Sequence, residues 1–466
     1  MKDEALKSTA PFGRAAPEAN LGFPRDGWGA APPLGYSGVA QGFAPPPPSA
    51  PGRAPISPSV AITLKCLAVA IAALSTAASA FPPELIFLFL KLLGGGLVVA
   101  LLHQLWTCRS TTPGEVKLYF SFLLWGAVTS LMVAVDSAAS MHMSWKILQA
   151  GLFMWAVAVA HQRHPDLRIT MTGVWLIGLL YTYVAYSNQA IRLIDETGGR
   201  MVVLGENSNT GGQVFVFAIL AALYLSEQSA SWRTKAPLMG SIPVFAFFLL
   251  YTGSRKMLIG AIIVATLWTL TMARGRNPLA KMVLAFAIAA TAYVVVVIWA
   301  DTPMGRRYEY AEKDMEGRSE LYSDGWTLFK DHPAGIGLAN QSRYMNIGEV
   351  HTEFLDVLLT TGVVGAVIYF SIYLLTLRRV MRLRIIGRDI AMLERRLFGV
   401  YMALIFWLMF GYSRFTDPLH MVVYGSFIGF FFHIQGYGCA IKGWEGPRAE
   451  SSFVAPPKGF PRAGNV

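Results

Sequence analysis

The chain has 466 residues, of which 54% are apolar and only 14% charged, with a formal net charge of +11 and a mean hydropathy of +0.45. A soluble domain carries about a quarter charged residues, so the composition excludes an ordinary soluble enzyme. It also turns the positive charge away from nucleic acid, because most Lys and Arg fall in short loops between apolar runs, as membrane topology demands.

Residues 1–57 are rich in Pro, Gly and Ala and contain APPPPSAPGRAP. Such a segment cannot bury a core and is expected to be a disordered cytoplasmic tether. The next stretch, AITLKCLAVAIAALSTAASA, ends in small residues (Ala78, Ala80) that resemble a signal-peptidase site. About sixty polar residues precede it, so it reads as a first membrane helix rather than a secretory signal. Apolar runs of bilayer-spanning length then recur. Twelve helices are predicted, at about 59–79, 84–105, 117–136, 144–161, 168–187, 211–226, 237–252, 256–272, 281–300, 353–376, 397–412 and 418–436. The expected fold class is an all-α polytopic membrane protein over 58–436, followed by a second disordered cytoplasmic tail, 437–466.

Loop charges set the expected orientation. Arg109 and Lys117, Arg163 and Arg168, Arg233 and Lys235, Arg274, Arg276 and Lys281, and the run LRRVMRLRIIGRDIAMLERR all fall on one side. That side should be cytoplasmic and hold both tails. The opposite side carries two longer segments, 187–210 and 301–352. Within the second, SELYSDGWTLFKD predicts a short interfacial helix with Leu321, Trp326, Leu328 and Phe329 on roughly one side. The following DHPAGIGLAN reads as a turn cluster.

Several arginines break the charge bias on that side: Arg306, Arg307, Arg318 and Arg343 in the long loop, Arg192 and Arg200 in the other, Arg255 in the turn TGSRK and Arg414 in SRFTD. One reading pairs the loop arginines with neighbouring acids as solvated charges. Arg255 has no acid close in sequence, and the guanidinium fork suits bidentate phosphate binding.

The stretch HTEFLDVLLTTGVVG, 351–365, puts His351, Glu353 and Asp356 at the threshold of an apolar segment. Neutral imidazole at His351 can take a proton from a hydroxyl, with Glu353 or Asp356 orienting it. The competing reading makes HTE a helix cap. Asp136 reads as a helix-end residue, and Lys65, Lys91 and Lys146 as stems whose ammonium groups reach the membrane surface. Cys66, Cys108 and Cys439 are scattered, and no histidines pair at ligand spacing on the outer side, so no metal site is expected.

Three stretches together resemble the O-antigen ligase / O-antigen polymerase family of bacterial envelopes: TGSRK, GRSELYSDGWTLFKDHPAGIGLANQ, and the histidine motif with its G-x-x-G (Gly362, Gly365). Thr352 stands where the family usually has Asn, Ser or Gln. The resemblance covers roughly 58–436 and implies a C-type glycosyltransferase-like fold with a large periplasmic loop at 301–352. It implies a metal-independent, cofactor-free, inverting transfer from a glycan carried on undecaprenyl diphosphate. On that pattern His351 is the base. Arg255 and Arg318 bind the diphosphate, with Arg306, Arg307, Arg192 and Arg200 beside them. The expected activity is polymerisation of exopolysaccharide or O-antigen repeat units. The alternatives are ligation to lipid A–core, protein O-glycosylation or, without enzyme chemistry, flipping of lipid-linked sugars. Expected partners are the lipid-linked glycan, a glycan or lipid A–core acceptor, the bilayer of the inner membrane and other polysaccharide export proteins.

Overall fold

The computed structural model describes residues 58–76, 83–108, 112–187, 191–194, 200–203, 208–271, 311–345, 350, 352–386, 391–411 and 415–443. In chain order the elements are α1 (Pro58–Thr76), α2 (Pro83–Cys108), α3 (Gly114–Val133), α4 (Ser137–Arg163), α5 (Arg168–Tyr186), β1 (Ile191–Ile194), β2 (Arg200–Val203), α6 (Ser208–Gln228), α7 (Trp232–Tyr251), α8 (Arg255–Leu270), α9 (Ala311–Asp331), α10 (Gln341–Tyr344), α11 (Glu353–Ile386), α12 (Met392–Met409) and α13 (Pro418–Gly443). The tail 1–57, the predicted helix at about 281–300 and residues 444–466 lie outside the described residues.

Every other predicted membrane segment coincides with a helix, though several run longer. Helix α4 starts at Ser137 because Asp136 caps it, accepting from the Ala139 N–H at 2.9 Å. Helix α11 continues to Ile386 through an arginine-rich stretch that hydropathy alone assigns to a loop. Among the described residues, α3–α7 and α11 are long and apolar enough to cross a membrane. Segment 187–210 holds a feature the sequence reading lacks. β1 and β2 form an antiparallel ribbon in which Arg192 faces Val202 and Arg200 faces Ile194.

Apolar residues cover both the inside and the outside of this bundle. Leu92, Val99, Leu124, Leu131, Val367 and Leu374 are exposed on helix surfaces, which suits a lipid solvent and no other. Inside, α4 and α13 make the most extensive helix pair. Gly425 and Gly429 bring α13 onto the backbone of α4, where a Cβ at Gly425 would lie 2.6 Å from the Met154 carbonyl oxygen. Small residues allow such close approach, and packing rather than hydrophobic exclusion holds helices together in lipid.

Polar pins close one end of the bundle. The Arg379 guanidinium makes two 2.9 Å bonds to the buried Glu115 carboxylate, a third of 2.6 Å to Gln435 Oε1, and lies over the Phe432 ring. Arg396 bridges both oxygens of Glu227 and covers Trp268, whose Nε1 donates to the same carboxylate. Lys65 is buried at the same end, its ammonium donating to the carbonyls of His164 (2.6 Å) and Asp166 (3.0 Å). Helix α1 packs on α4 and α5, and the turn between them offers carbonyls left over where α4 ends.

Candidate functional site

The opposite end of the bundle gathers the motifs. In TGSRK, Thr252 closes α7 and Gly253 takes φ +62°. Ser254 then caps α8 through the Met257 N–H and donates to Asn209 Oδ1 at 2.7 Å, tying the turn to the start of α6. Arg255 is thereby the first residue of α8 and half-buried. Its neighbour Lys256 is pinned to α12: the ammonium donates to the Leu408 carbonyl, and Trp407 Nε1 donates to the Lys256 carbonyl at 2.9 Å. A cation at the last turn of a helix satisfies orphan carbonyls and the dipole, which gives Lys256 a structural role.

The start of α11 reaches the same place. Thr352 caps it, its Oγ1 accepting from the Leu355 N–H and its carbonyl from the Asp356 N–H. The Phe354 ring packs against Phe410 (5.3 Å) and Phe406 (6.2 Å) at the end of α12. The N-termini of α8 and α11 therefore both meet the last turn of α12. Two helix N-termini beside a guanidinium favour an anion.

Helix α11 is broken. Gly362 sits at φ 67°, ψ −172°, a conformation essentially restricted to glycine. In a straight helix, residues 353 and 369 would be about 24 Å apart. Here the Tyr369 hydroxyl donates to the Glu353 carboxylate and Phe354 stacks on Phe370 at 5.0 Å. The segment Glu353–Leu383 has the length and hydropathy of one span, yet its first half folds back along its second. A break orphans carbonyls, and buried carbonyls need donors. The loop supplies them. Ile336 N–H bonds the Leu359 carbonyl (2.8 Å), Gly337 N–H bonds that of Thr360 (3.1 Å), and Trp125 Nε1 of α3 bonds that of Thr361 (2.8 Å). In return the Val363 N–H donates to the Pro333 carbonyl at 3.2 Å.

The turn cluster is therefore an inserted plug. Gly335 and Gly337 take φ +96° and +86°, Ala339 +55°, and Ile336, Leu338 and Asn340 are buried. Leu338 is held by Ser130 Oγ and Ser140 Oγ. Asn340 accepts from the Asp136 N–H and donates to Ser140 Oγ, both at 2.7 Å. Asp136 also receives Arg343 at 2.6 Å. The Ala139 N–H first, and then Arg343, hold the Asp136 carboxyl below the usual carboxylate range. Gln341, next in the chain, accepts from the Val350 N–H at 2.9 Å and donates to the Asp356 carboxylate.

Helix α9 packs on α11 through Leu321, Leu328 and Phe329, which meet Met345, Val350, Leu355 and Leu359. Trp326 does not join them. It is 48% exposed beside Phe329, because five residues past Leu321 is about 140° around a 3.6-residue turn. An exposed Trp at a membrane edge suits the headgroup layer.

Of the predicted site residues, Arg255 begins α8, Arg318 lies on α9, and Arg192 and Arg200 lie on the ribbon two rungs apart. His351, Arg306, Arg307 and Arg414 lie outside the described residues. Gly362 is the helix break, and Gly365 faces Thr361 and Trp125 across it. His332 packs edge-on to Tyr344, and no cluster among the described residues is arranged to hold a metal ion.

Sequence reasoning missed a buried polar chain beneath the site. Glu353 accepts from Tyr369, whose hydroxyl meets that of Tyr373 at 3.0 Å; Tyr373 meets His420 Nε2 at 3.1 Å, and His420 Nδ1 meets the Tyr401 hydroxyl at 2.7 Å. Five buried polar side chains from α11, α12 and α13 thus form one hydrogen-bonded chain. Glu353 and Tyr369 are sixteen positions apart, so only the break at Gly362 could have revealed their meeting.

The apolar helices and this end-on cluster of helix termini, loop plug and arginine define a multi-pass membrane protein with a polar site at one end of its bundle. Residues 240–370 match the family model described as O-antigen ligase. The resemblance to the O-antigen ligase/polymerase family is therefore shown over this segment, which runs from α7 through the Arg255 turn to the second half of α11. The match supports membrane glycosyltransferase activity of the ligase/polymerase type, with a lipid-linked glycan and an acceptor as substrates. No curated protein matches the chain.

Proposed function

We propose that this protein is an inverting glycosyltransferase that joins repeat units of an exopolysaccharide or O-antigen, using glycan carried on undecaprenyl diphosphate at the periplasmic face of the inner membrane. Both termini lie in the cytoplasm on this reading. The acceptor hydroxyl attacks the anomeric carbon, the bond from that carbon to the diphosphate oxygen breaks, and the lipid diphosphate leaves with the electron pair. His351 takes the hydroxyl proton. Arg255 and Arg318, with Arg306, Arg307, Arg192 and Arg200 around them, carry the charge that develops on the leaving group, so no metal or other cofactor is required in this scheme.

The observation that carries the reading is the family match over 240–370, combined with the convergence of the α8 and α11 starts on the end of α12. Arg255 and residue 352 lie at those two starts. A second reading, transfer of finished glycan to lipid A–core, is favoured by the description of the matched family as a ligase. The test is a strain lacking the protein. Single repeat units, on carrier or on lipid A–core, support the polymerase. Full-length glycan stranded on the carrier supports the ligase or a protein glycosyltransferase. Short units held on the cytoplasmic side overturn both and favour a flippase.

A further inference from the structure

Gln341 sits just after the loop plug, in the short α10, and is 4% exposed. Its two amide atoms reach opposite sides of the histidine motif. Oε1 accepts the Val350 N–H at 2.9 Å, and Nε2 donates to the Asp356 carboxylate. Val350 precedes His351, and Asp356 lies in the first turn of α11, whose own N–H closes onto the Thr352 carbonyl. One buried side chain therefore fixes the backbone before residue 351 and the helical turn after it. The plug that carries Gln341 is itself locked to α3, α4 and the break in α11, through Ser130, Ser140, Asp136 and the carbonyls of Leu359 and Thr360.

We infer that Gln341 is a positioning residue for His351: it couples the docked loop to the segment that presents the base to the acceptor hydroxyl. The inference rests on the proposed role of His351. Catalytic groups act within a narrow geometric tolerance, and a displacement near 1 Å can cost about a hundredfold in rate. An amide suits this place better than a carboxylate, because it must accept from a backbone N–H and donate to an acid at once.

That polarity gives a test which simple packing does not mimic. Full-length protein is reconstituted in proteoliposomes with total membrane lipid from the strain lacking it, which supplies lipid-linked glycan and acceptor, and release of lipid diphosphate is followed. Q341L should lower kcat by about tenfold or more while KM for the donor stays within about twofold. Q341E opposes two carboxylates and should lose rate, whereas D356N keeps an amide oxygen that can still accept from Gln341 Nε2 and should lose less. The double variant Q341E/D356N reverses donor and acceptor and should regain most of it. Thermal unfolding of each variant is measured in parallel. Wild-type kcat in Q341L, losses that simply follow the melting temperature, or no recovery in the double variant would overturn the inference. H351A separates it from the reading beneath. An active H351A removes the base itself, whereas an inactive H351A with an unaffected Q341L removes only the role of Gln341.

Discussion

Replacing Gly362 by alanine attacks the feature on which the site's shape depends. The backbone at φ 67°, ψ −172° costs a residue with a Cβ about 1–3 kcal/mol. The new Cβ would also run into the Ala334 carbonyl and come within 2.7 Å of the Pro333 carbonyl oxygen. Both are backbone atoms of the plug, so the plug must lift. Lifting it breaks the bonds from Ile336, Gly337 and Val363 at 2.8, 3.1 and 3.2 Å, each contributing about 1 kcal/mol net. The total, about 4–6 kcal/mol, is a large part of the ~5–15 kcal/mol that holds a typical protein folded. Thermal unfolding of the full chain in detergent, read by recovery of the monodisperse peak on size exclusion, measures it. Gly399→Ala is the control: nothing lies within 4 Å of a Cβ there, on α12, and alanine favours a helix by about 1 kcal/mol. G362A should melt far below wild type and G399A at or above it. A G362A protein as stable as wild type would refute the plug-and-break account.

Three further outcomes follow from the same structure. Arg379→Met leaves Glu115 buried without its guanidinium and should cost about 3–5 kcal/mol, most of it recovered in Glu115→Leu/Arg379→Met; equal melting of single and double variants would contradict this. Tyr369→Phe removes the hydroxyl shared by Glu353 and Tyr373 and should destabilise by about 1–3 kcal/mol, whereas Ser371→Ala, on an exposed face of the same helix, should melt like wild type. Asp136 has its folded pKa depressed. Its contribution is therefore present above the unfolded value, near ~4, and is lost as pH falls through the lower folded value. Asp136→Ala should be less stable than wild type at pH 7, and the gap should close toward pH ~3; a gap that widens on acidification would reverse the assignment.

Hydropathy made the membrane segments legible because a lipid-facing helix must be apolar for its whole length. It misjudged where α11 ends and missed the break inside it, for physical reasons. Arg379 looks like a loop residue until Glu115, far away in sequence, neutralises it. The run LLTTGVVG looks continuous because glycine breaks a helix without lowering hydropathy. The motifs themselves were visible as short patterns: Arg255 in its turn, the P-x-G-x-G cluster and the G-x-x-G after the histidine. Their partnership was not, since the loop's N–H groups and the helix's orphaned carbonyls carry no sequence signal. Gln341 and the Glu353–Tyr369–Tyr373–His420–Tyr401 chain were hidden for the same reason, each bond joining residues brought together only by the break or by helix packing. The partners of Lys65 were hidden in the same way. A lysine near a helix end reads as surface-seeking, and nothing near it in sequence names the α4–α5 turn whose carbonyls receive its ammonium.

The most direct test of the central claim is transfer by H351A in the proteoliposomes described above, with donor binding measured on the same preparation. The account predicts that H351A still binds lipid-linked glycan but releases no lipid diphosphate, and that R255K binds the donor more weakly despite keeping its charge. Undiminished turnover by H351A would contradict it.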